Sequence, residues 1–313
     1  MRSTRFGDDV RHSVTAPVVV GVDGSEAADA AVTWAAETAA QRGRELRIVH
    51  GLDLVEMRRV FEPYDVLEPS VFDTMRARAA DLVTRCAQHA LETAPGLRVR
   101  TEVSEADPVQ MLLEYGATAH LVVLGACGAT GLAAHVGSTM LAVTSHAEGV
   151  VVVVRGDPEA EGRVRREGPV VVGLDCGPAG EPALAVAFEE AAERRAELVA
   201  VHVWDDMNFG RYAGESNALF PVPNVEVREE ALVAERLAGW QEKYPEVLIN
   251  HRIYPTDAAA TLLAWSRSAR LVVSGSRGRG RLASILLGST SNALVQHAQC
   301  PVMVVHPDDR RHT

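Results

Sequence analysis

The fold of this chain is decided by the stretch LVVSGSRGRGRLASILLGST at residues 271–290. It opens with the apolar run Leu271-Val272-Val273 and continues through glycines at 275 and 278. After nine further residues it closes with Gly288-Ser289-Thr290. A β-branched run that leads into glycines and then into hydroxyl residues predicts a buried strand, a turn and the start of a helix.

A near-copy of this stretch lies upstream at residues 121–139, with eight residues between its second and third glycines. The repeat extends beyond the glycines, because Val18–Asp23 matches Val170–Asp175 and an alanine-rich helical segment follows each. Short apolar strands that alternate with helices indicate a parallel sheet covered on both faces. The sequence therefore predicts a doubly wound α/β fold that occurs twice.

The length and composition are those of two globular domains. The chain has 313 residues, 47% of them apolar and 23% charged, which is about twice a usual domain of roughly 150 residues. A charged stretch without periodicity at 156–168 is predicted to be the linker between domains at 16–155 and 169–306. Residues 52–72 and 204–224 are predicted to be loops, and helices are expected near 73–94 and 225–243.

Charge and cysteine usage disfavour several classes of protein. A formal net charge of −11 argues against nucleic acid as a partner, because that binding depends on clustered Lys and Arg. Neither a membrane span nor a secretory signal is readable, so we expect a cytoplasmic protein. The four cysteines are not spaced as zinc ligands, and no metal site of side chains is expected. Cys127 and Cys176 lie beside candidate site positions; we interpret them as small buried residues, with redox tuning of a site as the alternative.

The glycines have a chemical interpretation as well as a structural one. A loop without Cβ atoms lets backbone N–H groups approach an anion, and a helix that begins at Gly288-Ser289-Thr290 adds N-terminal N–H groups and two hydroxyls. This predicts a phosphate cradle that lacks the lysine of a Walker loop. The alternative is that the glycines only turn the chain, and Arg277, a candidate to screen phosphate charge, has the alternative of a solvated surface residue.

The chain resembles the universal stress protein family in its tandem two-domain form. The resemblance rests on Val22-Asp23-Gly24-Ser25, on the strand-ending His50 and His202, on the glycine motif at 275–289 and on the closing Cys300–Val305. It implies ATP binding, with Mg²⁺ carried by the nucleotide. The implied fold is Rossmann-like, of the adenine nucleotide alpha hydrolase type, with a five-stranded parallel sheet in each domain and the two halves packed as a pseudo-dimer.

The resemblance also implies site residues, carried over by position. In the second half, Asp175 and the backbone around Val203 are implied to contact the adenine and ribose end. The residues implied to contact the ribose and phosphates are Gly275, Gly278, Gly288, Ser289 and Thr290. The matching positions of the first half are Asp23, Gly51, Gly125, Gly128, Gly137, Ser138 and Thr139. The shorter first loop makes the second half the better candidate.

The function expected is that of an ATP-binding stress-response regulatory protein, in which nucleotide occupancy or slow hydrolysis controls conformation or partners. No catalytic residue is assigned, because neither a general base nor a catalytic lysine is evident. One alternative is an adenylating or ATP-pyrophosphate-cleaving enzyme with an acceptor pocket under residues 204–224. Another is an interaction module without nucleotide. The sequence does not name the protein partner, and a homodimer is an alternative to pairing within the chain.

Overall fold

The computed structural model describes residues 15–54, 57, 69–126, 138–157, 160, 162–204, 225–276 and 287–307. The chain divides into two compact units. The first reaches Gly156 and also includes Gly162–Val164, and the second comprises Asp157–Glu161 and Arg165–Pro307. Each unit alternates strands with helices, which is the fold class expected from the sequence.

The first unit alternates parallel strands with helices. In chain order they are β1 (Val18–Gly21), α1 (Glu26–Gln41), β2 (Leu46–Gly51), α2 (Pro69–Thr93), β3 (Val99–Ser104), α3 (Pro108–Gly116), β4 (Leu121–Gly125), α4 (Ser138–His146) and β5 (Val150–Val154). The strands lie in the order β3-β2-β1-β4-β5, and every neighbouring pair is parallel.

The second unit repeats this arrangement. Its elements are β6 (Val170–Leu174), α5 (Glu181–Glu193), β7 (Leu198–Val203), α6 (Val225–Lys243), β8 (Ile249–Tyr254), α7 (Ala258–Ser266), β9 (Leu271–Gly275), α8 (Ser289–His297) and β10 (Val302–Val305). The strand order β8-β7-β6-β9-β10 is that of the first unit, again with parallel neighbours. The doubly wound parallel fold is therefore confirmed in both halves.

One predicted loop is partly helical. The helix expected from residue 73 begins at Pro69, so the loop predicted at 52–72 includes the first residues of α2. Proline suits the first helical position because its missing N–H has no helical partner there. Apolar periodicity gives no sign of this first turn, which is why the sequence prediction starts late.

The alanines of α1 allow the helix to pack closely on the sheet. Its buried face is formed mostly by alanine, including Ala28 and Ala31, and a Cβ added to Gly125 at the end of β4 would lie 2.6 Å from the carbonyl carbon of Ala27. The strands beneath are valine-rich, and Val18–Val20 have no exposed surface. Small side chains on the helix thus bring its first turn down onto the carboxyl end of β4.

Candidate functional site

The strand order of the second unit's sheet reverses between β6 and β9. β6 and β9 are parallel neighbours, paired as Val172 with Val273, but β7 and β8 continue from β6 on one side while β10 follows β9 on the other. In open α/β sheets, ligands bind beyond the carboxyl ends of the strands at such a point. The sequence candidates Asp175, Val203 and Gly275 lie at or directly after the ends of β6, β7 and β9.

Asp175 shapes the loop that follows β6. One oxygen of its carboxylate, Oδ1, accepts a 3.1 Å hydrogen bond from the N–H of Gly177. Gly180 packs so closely on this loop that an added Cβ would lie 2.3 Å from the carbonyl oxygen of Asp175. α5 begins after Gly180, its N-cap, and has no side-chain capping bond. The carboxylate instead stands at the strand end, tied to the loop.

The N-terminus of α8 is fastened to the end of β9. The hydroxyl of Ser291 donates a 2.6 Å hydrogen bond to the carbonyl of Gly275, and its Oγ lies 3.0 Å from Oγ of Ser274. The N–H of Gly288 donates to the carbonyl of Ser276 at 2.9 Å. Strand end and helix start therefore form one polar assembly. The candidate Gly288 takes part in it, and Ser289 and Thr290 are the first two residues of the helix.

The start of α8 offers hydrogen-bond donors. Gly288 is the N-cap and makes no side-chain capping bond, which leaves the first N–H groups of the helix without the partner that a Ser or Asp cap supplies. Ser289 is exposed, and Thr290 is partly exposed. The hydroxyl of Ser276, in a side chain only 4% exposed, has no hydrogen-bond partner in the described part of the chain. Buried hydroxyls usually have a partner, so this one is suited to an acceptor group.

The first unit brings together its own candidates at the corresponding edge. Asp23 follows β1, and its Oδ1 accepts hydrogen bonds from the backbone N–H and the hydroxyl of Ser25. Ser25 in turn caps α1 by accepting from the N–H of Ala28 at 3.1 Å. Ser138 and Thr139 open α4, as Ser289 and Thr290 open α8.

The first unit lacks the hydroxyl assembly of the second. Leu124 and Met140 occupy the positions of Ser274 and Ser291, and both are buried apolar side chains. Packing also accounts for two of its candidate glycines. A Cβ on Gly51 would lie 2.8 Å from Cα of Pro108, and the one on Gly125 would meet α1. These glycines are required by the fold itself, so their presence is no separate sign of a ligand.

Four candidates lie outside the described residues. They are Gly128, Gly137, Arg277 and Gly278. The loop predicted at 204–224 also lies outside, apart from its first residue, Trp204. Their assignment to the site stays a prediction.

A buried cluster near the ends of β6 and β7 was not anticipated from the sequence. His202 has no exposed surface, and its ring contacts Cys176, the carbonyl of Leu174 and Glu229 of α6. The sequence marks His202 only as a histidine at the end of a strand. Glu229 could not be identified from the sequence, because it lies 27 residues after His202 on a helix that is rich in acidic residues.

Two kinds of feature are absent from the described residues. No helix among them combines the length and apolar character that a membrane crossing needs. No group of three His, Cys, Asp or Glu side chains among them is placed to hold a metal ion.

Comparisons with known proteins identify the family and support the fold. The model of the universal stress protein family matches residues 15–155 and again residues 168–306. A universal stress protein of Mycolicibacterium smegmatis is 37% identical over 294 residues, which cover 93% of this chain and 97% of that protein. The crystal structure of a universal stress protein from Archaeoglobus fulgidus covers 95% of this chain and 98% of its own at a TM-score of 0.65; at 19% identity it bears on the fold alone.

A nucleotide complex is found among more distant structures. The universal stress protein from Archaeoglobus fulgidus in complex with dAMP covers 36% of this chain and 81% of its own, at 20% identity and a TM-score of 0.28. That likeness is too low to carry an argument about the ligand of this chain. The family assignment rests on the two family matches and the close relative, and this chain belongs to the universal stress protein family, with the family's domain present twice in tandem.

Proposed function

We propose that the second unit binds an adenine nucleotide, ATP with Mg²⁺, at the ends of β6 and β9, and that nucleotide occupancy controls the conformation or the partners of the protein during stress. The observation that carries the proposal is the hydrogen bond from Ser291 to the carbonyl of Gly275. It holds the uncapped N-terminus of α8 beside the point where the strand order reverses. That combination is what an anionic phosphate group requires.

The residues of the second unit fit the two ends of such a nucleotide. The hydroxyls of Ser289 and Thr290, together with the first N–H groups of α8, would hold the phosphates. The unpartnered hydroxyl of Ser276 is a further donor at this end of the sheet. Asp175 and the backbone of Val203, on neighbouring strands, would take the adenine and ribose. Mg²⁺ would be coordinated mostly by phosphate oxygens and water, since this ion keeps several waters when it binds.

The groups of the site favour binding over turnover. The carboxylate at the end of β6, that of Asp175, is bonded to the N–H of Gly177 and is assigned to the adenine and ribose end, so it is not proposed as a base for a water at the phosphates. In this proposal, a bound nucleotide therefore acts mainly by changing the conformation or the partners of the protein. ATP hydrolysis is expected to be slow, because no residue that positions the attacking water is assigned among the described residues.

The test combines a count of nucleotides with a pair of matched variants. Nucleotide released from the denatured protein is identified and counted by chromatography, and ATP is then titrated into the emptied protein by calorimetry. The variant Ser289→Glu places a negative charge at the start of α8. An acidic residue there favours the helix by about 0.3–1 kcal/mol, so the fold is retained, but it repels phosphate.

The matched control is Ser138→Glu, at the same exposed position of the first unit. We expect one ATP per chain in the unchanged protein, loss of binding in Ser289→Glu and unaltered binding in Ser138→Glu. Unaltered binding in Ser289→Glu, with loss in the control, would transfer the site to the first unit. Absence of any uptake by the unchanged protein would refute the proposal.

A further inference from the structure

A cysteine, a histidine and a glutamate meet inside the second unit. Nδ1 of His202 lies 3.5 Å from Sγ of Cys176 and 3.0 Å from the carbonyl oxygen of Leu174. On the other side of the ring, Nε2 lies 2.8 Å from Oε2 of Glu229. The imidazole therefore stands between a thiol and a carboxylate, in a position with no exposed surface of its own.

The partners of His202 determine which protons its ring carries. A carbonyl oxygen only accepts, so the ring donates from Nδ1 to Leu174. On the other side, a carboxylate oxygen of Glu229 is placed to accept from Nε2, and this side chain is 24% exposed. Each ring nitrogen therefore faces an acceptor, and the imidazole lies beside the sulfur of Cys176. A cation next to a cysteine stabilises the thiolate, so a ring that carries both protons would activate this sulfur.

The fold does not require this cluster. In the first unit, His50 occupies the matching strand position and contacts the carbonyl of Val22 at 2.6 Å, so the bond between imidazole and backbone is common to both halves. Gly24 stands there in the place of Cys176. Since the first unit forms the same fold without a sulfur at this position, Cys176 and its link to Glu229 belong to the second unit alone.

Two other cysteines of the described chain provide a contrast. Burial raises the pKa of the Cys86 thiol, and burial raises the pKa of the Cys300 thiol to about 12. All three side chains are buried, with exposed fractions of 3% for Cys86, 5% for Cys176 and 0% for Cys300. Access differs little among them. The difference is chemical, because Cys176 has the imidazole of His202 within hydrogen-bond distance.

We propose that Cys176 is a peroxide-reactive thiol that the His202–Glu229 pair activates. The thiolate sulfur attacks one oxygen of hydrogen peroxide, an S–O bond forms and the O–O bond breaks. The displaced hydroxide takes the proton that the thiol lost on ionisation and leaves as water. Sulfur is oxidised by two electrons to the sulfenic acid, and the peroxide is reduced. The small exposed area of Cys176 restricts the oxidant to a molecule of about this size. His202 and Glu229 are positioning residues in this step.

The first test uses the unchanged full-length chain. The protein is treated with hydrogen peroxide, sulfenic acid is trapped with dimedone, and the trapped fraction at each cysteine is followed over time by peptide mass spectrometry. We expect Cys176 to react at least about tenfold faster than Cys86 and Cys300, which serve as internal controls. Equal rates at the three positions would overturn the proposal, and this comparison needs no variant.

The second test separates the role of Glu229 from general effects of charge. Glu229→Gln removes the carboxylate that faces the ring, and Glu230→Gln removes an exposed carboxylate from the next position of α6. We expect slower oxidation of Cys176 only in Glu229→Gln. Nitrogen NMR of the His202 ring supplies a second measurement, which a change in stability alone would not alter. We expect a proton on both ring nitrogens in the unchanged chain and the loss of one of them in Glu229→Gln. An unchanged ring signal together with an unchanged oxidation rate would exclude the activating pair.

Discussion

Ser291 donates a 2.6 Å hydrogen bond to the carbonyl of Gly275, 16 residues before it in the chain. The bond joins the first turn of α8 to the last residue of β9. Ser291 is only 3% exposed, and its hydroxyl also lies within hydrogen-bond distance of the hydroxyl of Ser274. The position of the helix N-terminus relative to the sheet therefore depends on a buried hydroxyl.

We expect Ser291→Ala to weaken nucleotide binding and to lower the free energy of unfolding by about 1 kcal/mol, the usual contribution of one hydrogen bond. Loss of the hydroxyl leaves the carbonyl of Gly275 without this donor and releases the first turn of α8. Calorimetric titration with ATP and denaturant unfolding measure the two effects. Ser268→Ala is the control, because it removes an exposed hydroxyl that bonds the carbonyl of Trp265, away from the strand end. Equal ATP affinity in the two variants would contradict the role given to Ser291.

Asp175→Asn tests the charge at the end of β6. Asparagine keeps the oxygen that accepts from the N–H of Gly177, so the loop is retained. The charge is lost, and a hydrogen bond to a charged group contributes about 1.5–3 kcal/mol against about 1 for a neutral pair. We expect the Kd for ATP to rise by roughly tenfold, since about 1.4 kcal/mol corresponds to that factor. Asp23→Asn, the same change in the first unit, should leave the Kd unaltered, and an equal rise in both variants would count against a single site in the second unit.

Gly125→Ala is expected to destabilise the first unit by about 1–3 kcal/mol, the usual cost of overpacking. The new methyl group would lie 2.6 Å from backbone atoms of Ala27, which can yield only if α1 moves away from the sheet. Gly239→Ala is the contrasting change. Gly239 lies in α6 with nothing within 4 Å of an added Cβ, so alanine should stabilise the helix by about 0.5–1 kcal/mol. Denaturant unfolding of the two variants should show shifts of opposite sign, and shifts of the same sign would contradict this account of Gly125.

The topology was predictable from the sequence because it depends on local patterns. Runs such as Val170–Val172 are β-branched and wholly buried, and the order of strand, glycine and helix recurs in both halves. The candidates that follow strands also emerge where expected, since the carboxyl ends of parallel strands share one edge of the sheet. The start of α2 at Pro69 and the packing behind Gly51 were missed, because both depend on three-dimensional neighbours.

The polar contacts of the site could not be predicted from the sequence, because they also depend on three-dimensional neighbours. The bond between Ser291 and Gly275 and the contact between His202 and Glu229 join residues 16 and 27 positions apart. No periodicity or motif records such a pairing, and a serine or a glutamate on a helix is ordinarily a solvated residue. The sequence singled out Cys176 as the neighbour of a candidate site residue, whereas only the structure shows the imidazole beside its sulfur.

Bound ATP is expected to protect Cys176 from hydrogen peroxide. The cysteine directly follows Asp175, the residue proposed to meet the adenine and ribose end, so an occupied site closes the approach to the sulfur. At a free ATP concentration of about ten times the Kd, only about one-tenth of the protein is unoccupied, and the oxidation rate of Cys176 should fall by roughly that factor. Dimedone trapping with and without ATP measures the rate, and Cys86 of the first unit is the internal reference, whose rate should not change.

In Ser289→Glu the protection should disappear while the oxidation rate without ATP stays the same. Protection that persists in this variant would mean that ATP shields Cys176 from a place other than the proposed site, and equal rates with and without ATP in a chain shown to bind it would separate the thiol from the nucleotide site altogether.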